Sequence, residues 1–291
     1  MTKVGMAECR VCYRHCMIPE GSAGFCGARI NAGGRISAAN YGCITSLALD
    51  PIEKKPLNRF HPGSMILSVG SYGCNLRCPF CQNSDISWSD RAYEYAVEAD
   101  RLSPEELADI AIRTRDKGNI GVAFTYNEPL IGYEFVRDTA ALIHKAGMVN
   151  VLVTNGMADL SVLEELGPYI DAMNIDLKGF TERYYRDVLK GDLDMVRAFI
   201  EGAVRLCHVE LTTLIVPKEN DSEEEMRSIA SYIRNLKDSA GHIIGEDIPL
   251  HISRFFPQFN MTDRPATDVA HIYHLADVAR EYLRYVYTGN C

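Results

Sequence analysis

From residue 64 onward, short apolar runs alternate with longer stretches in which apolar positions recur every three or four residues. That alternation predicts strands and helices in turn. Residues 64–69 (SMILSV) are the first buried strand candidate and run directly into a cysteine-rich loop. A helix is predicted over 103–117. Ser103 caps it, Pro104 takes the first helical position, Glu106 follows three residues after the cap and Gly118 ends it. The series continues with strand 121–125, helix 130–146, strand 149–154, helix 160–166, strand 172–176 and helical segments over 182–189 and 195–206. Strand 209–216, helix 222–237, strand 249–252, helix 267–283 and a last strand at 284–287 complete it. Strands alternating with helices form βαβ units around a parallel sheet. About six such units are too few for a closed eightfold barrel. The expected architecture is an α/β fold: an open, partial (β/α)6 TIM-like barrel.

The first 63 residues break this pattern. They are rich in Gly and Cys, with turn-forming runs at 19–24 (PEGSAG) and 31–34 (NAGG), and show no long helical period. The sequence therefore divides into a Cys/Gly-rich, metal-binding arm over 1–63 and a barrel domain over 64–291. No internal repeat or low-complexity segment is evident.

Composition narrows the function classes. A hydrophobic content of 47% with 24% charged residues suits a globular chain with a substantial core. Thirty basic against 39 acidic residues give a net charge of -9, the wrong sign for a nucleic-acid binder. No run approaches the roughly 20 apolar residues that span a bilayer, and cysteines begin too early for a secretory signal. No membrane association is expected, and the expected location is cytoplasmic. Ten cysteines in such a chain read as metal ligands, not disulfides.

Cys74, Cys78 and Cys81 have the spacing C-x-x-x-C-x-x-C. Iron in a [4Fe–4S] cluster is usually held by four thiolates, so three leave one iron with an open position. An open position separates a reactive metal site from a structural one. The amino and carboxylate groups of S-adenosylmethionine could chelate that iron. Zinc would need a fourth ligand, and the nearest histidine, His61, lies upstream. Phe80, just before the third cysteine, suits a planar adenine. This run after a predicted strand resembles the radical S-adenosylmethionine (SAM) superfamily. The resemblance implies that the three cysteines bind the cluster and that the neighbourhood of Phe80, Gln82 included, contacts the nucleoside.

In (β/α) architectures, active sites lie at the C-terminal strand ends. Thr125-Tyr126-Asn127-Glu128-Pro129 follows one strand, where Asn127 and Glu128 either hold a ligand ammonium or cap the next helix. Thr154-Asn155-Gly156 follows the next; taken alone it is an ordinary turn. Asp176 and Lys178 follow a third, and either bind ribose hydroxyls and a carboxylate or neutralise each other. His251 lies on the last long strand, where a lone histidine is more often structural. Arg254 beside it is either a carboxylate partner or a surface group.

Together these runs resemble the pyruvate formate-lyase activating enzyme branch of that superfamily, and within it the AmmeMemoRadiSam group. The segment 46–57 (SLALDPIEKKPL), the Pro62-Gly63-Ser64 turn, the cysteine run with Gln82-Asn83, the strand-end runs and 251–257 carry the resemblance. It implies SAM contacts from Asn127, Glu128, Thr154, Asn155, Asp176, Lys178 and His251. It also implies a reductant such as flavodoxin or ferredoxin, and a protein glycine in a partner glycyl radical enzyme as the leading target. Another protein or a small molecule remains open as substrate. Phe256 stands where a histidine is expected, and some members continue past Cys291 in a cysteine-bearing tail. Both departures bear on the substrate more than on the radical chemistry.

A second group, Cys9, Cys12, Cys16 and Cys26, would close a site completely, as structural zinc or as a second iron–sulfur cluster. Cys43, Cys207 and Cys291 have no partners by spacing. Two function classes follow: a radical SAM enzyme, or a non-catalytic iron–sulfur or metal-binding adaptor. The adaptor explains the cysteines but not the polar runs at successive strand ends.

Overall fold

The computed structural model describes residues 5–92, 94 and 99–291. Its main sheet contains β1 (Ser46–Pro51), β2 (Met65–Gly70), β3 (Asn119–Phe124), β4 (Val149–Thr154), β5 (Ala172–Asp176), β6 (His208–Ile215), β7 (Leu250–Arg254) and β8 (Val286–Gly289). Strands β2 to β8 lie side by side in chain order and run parallel. β1 pairs antiparallel with β2 and forms one edge, while β8 forms the other, so the sheet stays open. The α/β partial barrel expected from the alternation is the architecture observed. One difference concerns its start: the edge strand β1 comes from within the segment that composition assigns to the arm.

Helices α1 (Pro104–Arg113), α2 (Tyr133–Lys145), α3 (Leu160–Leu166), α4 (Leu193–Ala203), α5 (Glu223–Arg234) and α6 (Val269–Arg280) fill the successive crossovers. Side-chain alternation along the strands builds two cores. Leu67, Val69, Val122, Phe124, Leu152 and Ile175 face outward and pack under the helices, joined by Leu107, Val136, Phe199 and Ile229. Ile66, Ala123, Val151 and Ala172 face the other way and pack on Ile52 and Leu57 from the β1–β2 connection. That connection plugs the concave side of the sheet. No helix among the described residues is long and apolar enough to cross a membrane.

Local signals operate as spelled. The Ser103 hydroxyl accepts from Glu106 N at 3.2 Å while the Glu106 carboxylate accepts from Ser103 N at 2.7 Å, a complete capping box. α1 stops earlier than expected, giving way to a 3-10 turn at Arg115–Lys117 that Gly118 ends at φ +84°. The helix expected from residue 130 opens as a 3-10 turn at Pro129–Gly132, with Pro129 at the first position, where no N–H is needed. The segment 182–189 contains a π-helical turn, Tyr184–Leu189.

One buried carboxylate fastens the plug to the sheet. Glu210, the third residue of β6, is fully buried. It accepts from Asn58 N at 3.0 Å and Arg59 N at 2.7 Å, and meets His208 Nε2 at 3.0 Å and His251 Nε2 at 2.6 Å. Burial opposes its charge, but the hydrogen bonds from both histidines and the two amides hold its carboxyl down at about 2. A folded value below the usual 4.5 makes this contribution present above pH 4.5 and lost as pH falls toward 2. Glu210→Ala should therefore lower the unfolding free energy at pH 7 by about 3–5 kcal/mol, measured by denaturant titration. The loss should shrink below pH 4.5; a change under about 1 kcal/mol would contradict this role.

Candidate active site at the strand ends

The three cysteines of the C-x-x-x-C-x-x-C run lie on the loop that leaves the C-terminal end of β2. Leu76 N points at Cys74 Sγ at 3.4 Å, and Cys81 N closes a turn on Cys78 O at 3.2 Å. Burial pushes all three thiols up, Cys78 to about 12. They are thus neutral until a metal displaces their protons. Among the described residues, no three His, Cys, Asp or Glu side chains are gathered closely enough to grip a single ion. The fit of a metal rests on donor chemistry: an all-thiol set on one short loop suits zinc or iron–sulfur chemistry over a hard cation.

Neighbouring strand ends meet this loop. Asn127, after β3, uses its whole amide on the loop's root. Its Oδ1 accepts from Ser71 N at 3.0 Å, and its Nδ2 donates to Tyr72 O and Gly73 O at 3.2 and 3.1 Å. Glu128 is buried and accepts from Leu130 N (3.0 Å), Thr154 Oγ1 (2.6 Å) and Asn155 N (2.8 Å). Asn155 in turn donates from Nδ2 to Asn75 Oδ1 at 2.9 Å and approaches Cys74 Sγ at 3.7 Å. The side chains of Asn127 and Glu128 are thus engaged by protein, and the polar groups left facing a ligand here belong to the backbone. Tyr126, at φ +71°, carries the strain of that turn, and its carbonyl accepts from Asn83 Nδ2 at 2.7 Å.

Across the mouth, Asp176 and Lys178 form an ion pair at 2.8 Å, so the mutual-neutralisation reading describes their resting state. Burial works against the charge of Lys178, but the Asp176 carboxylate and the Cys78 thiol outweigh it and raise its pKa. Tyr185 Oη accepts from Lys178 N at 3.0 Å and fixes the turn. Phe80 is buried edge-to-face on Phe255, with centroids 6.2 Å apart, and Gln258 Nε2 donates to its carbonyl at 2.8 Å. Gln82 is exposed.

His251 does not join this group. It is the second residue of β7, well below the strand's C-terminal end, with Nε2 on Glu210 and its face stacked on Tyr287. Arg254 donates from Nε to Thr267 O at 2.7 Å and lies over the Phe256 ring. Sequence reasoning missed Asn75, Gln258, Tyr185 and Glu210. Of these only Glu210 had a signal, the period-two run His208-Val209-Glu210-Leu211-Thr212 of inward polar positions.

Glu128 offers a pH test. Burial raises its carboxyl to about 7 against the three hydrogen bonds that lower it, with Asp176 adding to the rise. A folded value above 4.5 means that its contribution is full below pH 4.5 and lost as pH rises through 7. The stability of the parent relative to Glu128→Gln should therefore fall across that interval in denaturant titrations. A difference that does not change with pH would refute it.

Comparison with known proteins agrees with this geometry. The Radical SAM superfamily pattern matches residues 68–230, from within β2 into α5. An uncharacterized protein of Methanocaldococcus jannaschii is 39% identical over 285 residues, covering 97% of this chain and 81% of that protein. The pyruvate formate-lyase-activating enzyme of Clostridium pasteurianum is 28% identical over 173 residues, covering 57% of this chain and 68% of the enzyme. Streptococcus suis SuiB bound to S-adenosylmethionine shares the fold at a TM-score of 0.57 and 14% identity, over 76% of this chain and 48% of SuiB. A thiol loop leaving the first parallel strand of a partial barrel thus coincides with a family match over more than half the sequence: the chain belongs to the Radical SAM superfamily.

Proposed function

We propose that Cys74, Cys78 and Cys81 hold a [4Fe–4S] cluster and that SAM binds beside it in the mouth formed by the ends of β2 to β5. The observation that carries this reading is the convergence of the ends of β3, β4 and β5 on the cysteine loop through Asn127, Asn155 and Lys178, with Glu128 bonding the first two ends together. When bound, the cluster supplies one electron that splits the SAM sulfonium into methionine and a 5′-deoxyadenosyl radical, which abstracts hydrogen from a substrate.

The protein's own part is orientation and charge. Asn127 fixes the root of the loop, and Asn155 steadies Cys74 from the next strand. Lys178 offers a cation to a ligand carboxylate and to the negative thiolates, while Asp176 accepts from ribose hydroxyls or an ammonium. The backbone around Asn127, Glu128 and Thr154 completes the contacts, with the Thr154 hydroxyl kept on Glu128. Phe80 serves through its backbone and as a wall, and Gln82 lies at the open rim. His251 positions β7 through Glu210.

The kinship with the pyruvate formate-lyase-activating enzyme favours a glycine of a partner protein as the hydrogen donor, with flavodoxin or ferredoxin as reductant. Protein reconstituted anaerobically with iron and sulfide, then given dithionite and SAM, should release 5′-deoxyadenosine and methionine. Cys78→Ser should reduce both to background. An intact cluster that releases neither product would favour the adaptor reading. Asp176→Asn should raise the KM for SAM about ten- to hundredfold, the equivalent of one lost charge-assisted hydrogen bond; an unchanged KM would remove Asp176 from the contacts.

A further inference from the structure

The segment around the first four cysteines, residues 6–29, folds as two tight turns. Strands Met6–Glu8 and Met17–Pro19 pair antiparallel, and the turn between them carries Cys9, Cys12 and Cys16, closed by Cys9 N on Cys16 O at 2.9 Å and His15 N on Cys12 O at 3.1 Å. A second turn, with Gly24 N on Arg29 O at 2.7 Å and Gly27 N on Gly24 O at 2.9 Å, brings in Cys26. All four thiols line one small pocket, beside Arg14 and Asn75. They surround it without being drawn to single-ion distance.

Two observations point to a metal there. Four cysteines from two separate turns line the same pocket, and no carboxylate or imidazole is among its lining residues. The surroundings are also cationic: Arg14 and the buried Arg29 flank the pocket, although Glu134 takes part of the Arg29 charge at 2.7 Å. Four thiolates on a divalent centre carry net negative charge, which such a setting favours. Residues 5–40 have little else to fold around, since Val11, Ile18 and Ala28 are their buried apolar groups besides the cysteines.

This pocket abuts the reactive loop. The Arg14 guanidinium bonds Asn75 O, and Arg77 reaches back to Phe25 O and lies 3.8 Å over the Phe25 ring. Gly73, at φ +94°, passes so close that a Cβ there would fall 2.8 Å from Cys26 O. The arm is also tied to the loops after β4 and β5, through Asp159 N on Val11 O at 2.8 Å and through Tyr13 and Arg14 on Lys190 O.

We infer that Cys9, Cys12, Cys16 and Cys26 form a second, closed four-thiolate metal centre that clamps the arm onto the Cys74–Cys81 loop. Its role is positional, and it takes a thiophilic centre, either one zinc ion or an iron–sulfur cluster. The inference deepens the radical SAM reading but fails separately from it. Cys74→Ser/Cys78→Ser/Cys81→Ser protein, purified anaerobically, should retain about one zinc or about four irons per chain. X-ray absorption at that metal should show an all-sulfur shell. In the full chain, Cys12→Ser/Cys26→Ser should lose that same complement, and the iron held by the remaining loop should pass to a chelator severalfold faster than in the parent. A folded triple variant holding neither metal would overturn the centre. If that variant does not fold, metal content unchanged between the parent and Cys12→Ser/Cys26→Ser would overturn it instead. Loss of the arm's metal with no change in iron release would overturn the clamp. Failure of the radical reading would show differently, as no deoxyadenosine from a parent that holds both centres.

Discussion

The rim of this barrel depends on a carboxylate that no solvent reaches. Glu128 collects a helix-start amide, a hydroxyl from the end of β4 and the amide that follows it, so two strand ends share one acceptor. Because Asn155 is positioned by that bond, its side chain stands between Asn75 and Cys74. The register of adjacent parallel strands is thereby transmitted to a sulfur atom. Burial makes the acceptor expensive to ionise, and each donor offsets part of that cost. A rim built this way is stiff, which suits a site that must exclude water around reactive intermediates.

The same rim sorts charge. Cationic Lys178 sits by Cys78, with Asp176 as its resting partner. Three buried thiols resist ionisation alone, so charge arrives on the loop only with a metal. Lys178 is then already in place to face it. At the opposite end of the strands, Glu210 performs a purely structural version of the task, with its carboxylate held by hydrogen bonds from two histidines and two amides.

Much of this could be read from the sequence because the signals are local. The Ser103 box, the stop at Gly118, the strand periods and the cysteine spacing each depend on neighbours within a few residues. The polar runs after successive strands marked the rim because parallel topology places their ends together. What was illegible is long-range. The pairing of Ser46–Pro51 with β2 has no distinguishing period, and Leu47 on it is exposed. Asn127 looked like a ligand contact, but its amide turns inward to the loop backbone. His251 could be placed on its strand, but not against a glutamate 41 positions earlier.

The arm's attachments brace the mouth. It is fastened to the loops that follow β2, β4 and β5. From the other side the chain after β7 grips the cysteine loop, with Asn260 N donating to Pro79 O at 2.9 Å and Gln258 Nε2 to Phe80 O. Just after that strand, the exposed Phe256 ring lies under the Arg254 guanidinium. The cysteine loop is thereby gripped from two directions, and neither the arm nor the chain beyond β7 can shift without pulling on the run that carries Cys74, Cys78 and Cys81.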